Sequence, residues 1–364
     1  MGPTGRAGCR GLNRVESGDN ASVNPIRRRL PVVLGAGAVA TLLAAPVASA
    51  HGGGVPPAPE PGSFLLAWSF DPLVWLPAIA ALLLWRHGVG RVRRLHPARP
   101  VARSRTASWT LGVAAVLVAL DSGIERYDTT LFSVHMVQHL LLTLIAPPLL
   151  LFAGPITLLL QASAPETRRR WILPVLHSGI VRFFAFPVVS WLLFAGVMWA
   201  SHFSPLFDLA LENEWAHRLE HALFLGTALL FWWPVVGPDP SPWRMAPPVK
   251  VLYVGLQMPQ NTFLALAIYM ATVPLYSHYA TTVRSWGPTP LEDQQVAGGI
   301  MWLAGDFAFL TMLILLVLAW MRHDERRTVG EDRRLDAERT ALREREARLA
   351  ARRSAEAGEG PPGP

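Results

Sequence analysis

The chain has 364 residues, 51% of them hydrophobic and 16% charged, and a net charge of +7. Its apolar residues fall in blocks of about 20, the length that crosses a bilayer, which excludes an ordinary soluble domain. The charge is not a nucleic-acid footprint. Arginines sit in short clusters between the apolar blocks and in a C-terminal tail, Lys250 is the only lysine, and bases placed beside spans mark the cytoplasmic side.

Residues 1–50 read as a leader. Arg27, Arg28 and Arg29 precede the apolar run "LPVVLGAGAVATLLAAPVASA", which ends in an Ala48-Ser49-Ala50 cleavage motif. Removal would take away the one cysteine, Cys9, and with it any disulfide or CxxC site. It would also leave His51 as a new N-terminus able to chelate Cu(II) through its amine and ring. Residues 51–62, "HGGGVPPAPEPG", are Gly/Pro-rich and expected to be a disordered linker.

The membrane domain is expected over 63–321 as seven spans, at 64–85, 107–122, 131–152, 182–201, 216–236, 250–274 and 297–321. The piece "PITLLLQA" is too short to cross and is expected at the interface. The basic loops follow spans one, three and five, and the tail begins "MRHDERR". The positive-inside rule therefore places the N-terminus outside and the C-terminus in the cytoplasm. The fold class is an all-α, polytopic seven-transmembrane-helix bundle. Residues 322–364 form a charged cytoplasmic tail, helical in part. Leu335, Leu342 and Leu349 recur every seven residues there, but with so few apolar positions a solvated helix is expected over a coiled coil.

Span three carries "HMVQH" and span five "HRLEH". His135 and His139, like His217 and His221, are one helical turn apart and so share a face. His202 ends span four, Asp293 precedes span seven, and Met301 and Asp306 lie in its outer half. Ionisable groups in a bilayer are costly and turn toward a bundle interior or cavity, so this set at one depth points to a site. Imidazole binds Zn, Cu, Fe and Ni, and thioether favours Cu(I). Met136, Met258, Met270 and Met301 are the candidate thioethers. In "QMPQN", Pro259 lacks an amide hydrogen and breaks the helix, and Gln257, Gln260 and Asn261 suit a polar lining.

Three other readings use the same residues. "HRLEH" matches the HxxEH zinc-protease pattern, but a protease also needs a third ligand and a water-filled cleft. Haem b could take one histidine from each of spans three and five. A retinal protein needs a lysine in span seven, and none is there.

The segments "HMVQHLLLTLIAPPLLLFAGP", "HRLEHALFLGTALLFWWPVVGPDP", "PLYSHYA" and "PLEDQQVAGGIMWLAGD" resemble the multi-span CtaG-type cytochrome c oxidase assembly factors of bacteria. The resemblance covers roughly residues 62–321 and runs through several motifs in the right order. It implies a multi-pass protein of the bacterial plasma membrane, with no established catalytic activity. Its partners would be the subunits of a haem-copper oxidase, which it helps copper to reach. His135, His139, His217, His221, Asp293 and Gln294 match the family's motifs. On this reading the two histidine pairs are copper ligands, completed or relayed by His202, Met258 and Met301. Asp293 and Asp306 act behind them as acceptors. A copper transporter is the alternative of a different class.

Overall fold

The computed structural model describes residues 55–60, 62 and 67–358, all within one compact unit, and their regular structure is entirely helical. The leader and its cleavage motif, Cys9 and His51 lie outside the described residues. Among the described residues, six helices are long and apolar enough to cross a membrane, and a seventh span results if one bent pair counts as a single crossing.

Helix α1 is Pro72–Leu95. The expected first span, 64–85, is displaced toward the C-terminus because local chemistry overrides hydropathy. Asp71 is an N-cap accepting from the Leu73 amide at 2.8 Å, Pro72 sits in the first turn, and Arg93 and Arg94 sit in the last. The buried Asp121 then gathers the chain before the helix. It accepts from the Phe70 and Asp71 amides, the Ser69 hydroxyl and the Trp75 indole, at 2.6 to 3.0 Å.

Helix α2 is Arg103–Asp121, and the short α3 is Gly123–Asp128. Helix α4, Phe132–Leu140, carries the first histidine pair and passes through a π-helical turn, Leu141–Ile145, into α5, Ala146–Ala153. The cause is in the sequence: Pro147 has no amide to give the Thr143 carbonyl, so the ladder is interrupted. The Trp232 indole donates to that carbonyl instead, at 2.9 Å. Gly154 (φ +72°) turns the chain into α6, Pro155–Ala162, the "PITLLLQA" segment. Its one buried residue, Leu158, packs with Trp85 and Val92 of α1.

Helix α7, Pro187–His202, is too short to cross alone. It bends by 71° into α8, Leu206–Glu212. Helix α9, Glu214–Val236, carries the second histidine pair behind an Asn213 cap. The sixth span is broken at Leu256 into α10, Pro247–Gly255, and α11, Gln257–Tyr269. Pro259 explains the break, since it has no amide for the Gly255 carbonyl. After the short α12, Ser277–Thr281, helix α13 runs unbroken over Pro290–Gly358. Leu335, Leu342 and Leu349 of its tail are exposed.

The bundle has two dissimilar ends. At one meet the start of α1, the end of α2, the starts of α4, α9 and α13, and the ends of α7 and α11. At the other, Arg105 donates to the Ala153 and Gly154 carbonyls, Asp239 caps α6 through the Ile156 and Thr157 amides, and Lys250 donates to the Val235 carbonyl. Many leucines, isoleucines and phenylalanines on the outside of the helices are exposed, as lipid contact requires.

Candidate metal centre

The helical spacing does what it implies: both histidine pairs face inward. Imidazoles of α4 and α9 meet across the bundle, with α4 packed on α13 and α9 on α5 and the π-helical turn, and His202 arrives from the end of α7. All five imidazoles are buried. The His135 ring centroid lies 4.1 Å from that of His139, 5.5 Å from His217 and 6.5 Å from His221, and His139 lies 5.8 Å from His202. Phe207 and Phe224 close the apolar side, with ring centroids 5.1 Å from His135 and 4.2 Å from His139 respectively.

The cluster is short of hydrogen bonds. Both ring nitrogens of His135 and of His139, and Nε2 of His202, have no hydrogen-bond partner among the described residues. A buried polar atom without a partner costs roughly 1–3 kcal/mol, so five of them in one place call for an explanation. The ring nitrogens that do have partners are oriented by them. His202 Nδ1 lies 2.7 Å from the Met198 carbonyl, and His221 Nε2 lies 3.1 Å from Gln138 Oε1. Gln138 is fixed in turn, donating to the Ala119 carbonyl at 2.9 Å and to Glu125 at 2.5 Å.

Two carboxylates that the sequence reading did not assign stand among the imidazoles. Asp128 Oδ2 is 3.4 Å from His217 Nε2, and Glu220 Oε2 is 3.9 Å from His135 Nε2. The other Glu220 oxygen accepts from the Ser201 hydroxyl. Asp128 ends α3, and Tyr279 donates from α12 to its backbone carbonyl at 2.6 Å. Burial pushes the Tyr279 phenol well above its ordinary pKa, so it stays a donor. Glu220 stands within "HRLEH" and was legible as a residue facing the bundle. Asp128 was not, because a short acid-containing loop carries no periodicity.

The remaining candidates take other places. Asp293 is an acceptor, but for backbone and a hydroxyl rather than for imidazole: it receives the Phe132 amide at 2.6 Å and the Ser133 hydroxyl at 2.5 Å. It caps, from α13, the helix that carries His135 and His139. Gln294 accepts the Leu275 amide at 2.7 Å and donates to the Ile268 and Val273 carbonyls, closing the end of α11. Asp306 accepts from Asn261 and Thr262, at 3.2 and 2.6 Å, and so ties α13 to α11. Met301 packs in the apolar cluster with Phe132, Met136 and Phe224, beneath the histidines. Met258 packs in the other cluster, with Trp232 and Phe309. His278 binds the Thr129 carbonyl at 2.8 Å.

Residues 66–323 match the family of cytochrome c oxidase caa3 assembly factors, Caa3_CtaG. The chain belongs to that family. Curated relatives include uncharacterized proteins of Mycobacterium leprae, 31% identical over 290 residues, and of Mycobacterium bovis and Mycobacterium tuberculosis, each 30% identical over 291. Those alignments cover 78% of this chain and 44% of each relative, so the chain spans less than half the length of the curated relatives it matches. No solved structure matches. The family segment begins at residue 66 and ends at 323, so it takes in every residue of the histidine cluster and leaves out most of the charged tail.

Proposed function

We propose that this family member serves the assembly of a haem-copper cytochrome c oxidase, binding copper in the histidine cluster and releasing it to an oxidase subunit. The observation that carries the reading is the set of buried imidazole nitrogens of His135, His139 and His202, from α4 and α7, that have no hydrogen-bond partner among the described residues. Neutral imidazole is a copper ligand, and coordination would satisfy atoms that otherwise stand at a cost. Four imidazoles from two helix turns, with His202 beside them, give more donors than a copper ion needs. Surplus donors allow the exchange that delivery requires. On this reading the N-terminus is outside and the tail cytoplasmic, from the arginine distribution. The cluster then lies at the outer face of the plasma membrane, and the chain acts as a chaperone rather than an enzyme.

Haem b is the weaker reading, because it would have to part imidazoles that pack on one another and on two phenylalanines. A transporter needs a polar path through the opposite half, and aromatic packing fills that half.

The test is the joint substitution His135→Ala and His139→Ala, with copper content of the purified protein and oxidase activity of the membranes as readouts. Oxidase activity is expected to fall, and any copper that remains is held by His217 and His221. Retention of both would refute the assignment. Copper uptake by sealed vesicles would transfer the reading to a transporter.

A further inference from the structure

The cluster contains two sets of three donor atoms, each set lying within 4.8 Å of one another: Asp128, His217 and His221 in one, and His135, His217 and Glu220 in the other. Each set is two imidazoles and one carboxylate, and every residue in both is buried. They share His217. Two divalent ions on either side of one shared imidazole would repel strongly in a buried site, which favours filling one set at a time.

The donor chemistry selects the ion. Two histidines and a carboxylate suit borderline divalent cations, among them Zn(II), Fe(II) and Cu(II). They offer nothing to a soft monovalent ion that imidazole alone would not. Neither set includes a thioether, and Met136, Met198 and Met301 belong to the adjoining apolar cluster. Two further observations point to a ligand rather than to packing. His135 has no hydrogen-bond partner on either nitrogen at 0% exposure, and Glu220 Oε2 is buried without one. One set also has a way in. His217 lines a cleft together with Asp71, Glu125, Glu214 and Arg218, where Arg218 bridges Asp71 and Glu214 at 2.8 and 2.6 Å. Arg218 offsets part of the acidic charge of this cleft, and what remains attracts cations.

We propose that one divalent cation at a time, Cu(II) on the reading above, enters through this cleft, binds first at Asp128, His217 and His221, and passes to His135, His217 and Glu220 by exchanging ligands around His217. The ion keeps one imidazole throughout, so it is never released into the apolar interior. Each step replaces one imidazole and one carboxylate by another of each, leaving the charge of the ligand set unchanged. The proposal rests on copper binding in the cluster and adds the oxidation state, the two carboxylates and the order of occupation.

The test uses the full chain in lipid nanodiscs, titrated with Cu(II) and, anaerobically, with Cu(I). Wild type is expected to take one Cu(II) per chain, with nitrogen couplings from two imidazoles by electron paramagnetic resonance. Asp128→Asn and Glu220→Gln, both near-isosteric, should each still bind one Cu(II) through the remaining set. The double variant should lose affinity by about ten-fold or more. Loading should slow in Asp128→Asn alone. Couplings from four imidazoles, two Cu(II) per chain, or full affinity in the double variant would each overturn the proposal, and unchanged loading in Asp128→Asn would overturn its order. The wild-type measurements do not depend on whether the variants fold. Binding of Cu(I) without Cu(II) defeats this proposal and leaves the copper reading intact. Binding of neither defeats both.

Discussion

The two halves of the bundle solve the same problem in opposite ways. In the aromatic half, Phe194, Phe231, Trp232, Tyr253 and Phe309 pack face to face or edge to face. Some polar atoms there are spent on backbone, the Trp232 indole on the Thr143 carbonyl and the Tyr253 hydroxyl on the Phe231 carbonyl at 3.2 Å, while the Trp191 and Trp233 indoles have no hydrogen-bond partner among the described residues. In the histidine half, the carbonyls and amides are equally well served, by Asp293, Gln294 and Gln138, but the imidazoles are not. A low-dielectric interior makes unpaired polar atoms expensive; the aromatic half leaves two indole donors unpaired within dense ring packing, where no metal can use them. The second half holds donors in readiness.

The sharpest way to break that contrast is to remove the imidazole common to both donor sets. His217→Ala should abolish measurable copper in the purified protein, exceeding the roughly 10- to 100-fold loss typical when an outer partner is removed. Next comes such an outer partner. Gln138→Leu removes the group that orients His221 and receives no compensation, so affinity should fall by about 10- to 100-fold while the protein stays folded by circular dichroism. The remaining tests concern cohesion. A side chain at Gly298 would meet the Tyr269 backbone at 2.8 Å. Gly298→Val should therefore destabilise by about 1–3 kcal/mol, through overpacking, and lower the Tm. Asp293→Ala uncaps the histidine-bearing helix and should cost about 1 kcal/mol of stability, with a measurable loss of copper affinity because α4 positions two imidazoles. Trp232→Phe, in the aromatic half, removes one hydrogen bond worth about 0.5–1.5 kcal/mol and should leave copper binding unchanged. If it reduced copper binding as strongly as Gln138→Leu, the division between the halves would be wrong.

Much of this was legible from residue order. Blocks of about 20 apolar residues required helices, since a lipid-exposed backbone must satisfy its own hydrogen bonds. The i,i+4 spacing put each histidine pair on one face, and Pro259 announced the break at Leu256. Where hydropathy alone was the guide, it misplaced the first span, because Asp71 and Pro72 start that helix later than its apolar run suggests. It counted seven crossings, whereas among the described residues six helices are long enough and the seventh needs the bent pair α7 and α8 to count as one.

The sequence by itself determined the helices, their polar faces and the identity of the imidazoles, because those follow from local periodicity and side-chain chemistry. Only the tertiary structure decided which donors meet. It brought the imidazoles of α4 and α9 together and set Asp128 beside His217. It also turned Asp293, Gln294 and Asp306 from expected partners of histidine into ties between helices. Those outcomes depend on contacts between residues as many as 161 positions apart. Local pattern holds no record of such pairings, because they are fixed by how whole helices pack.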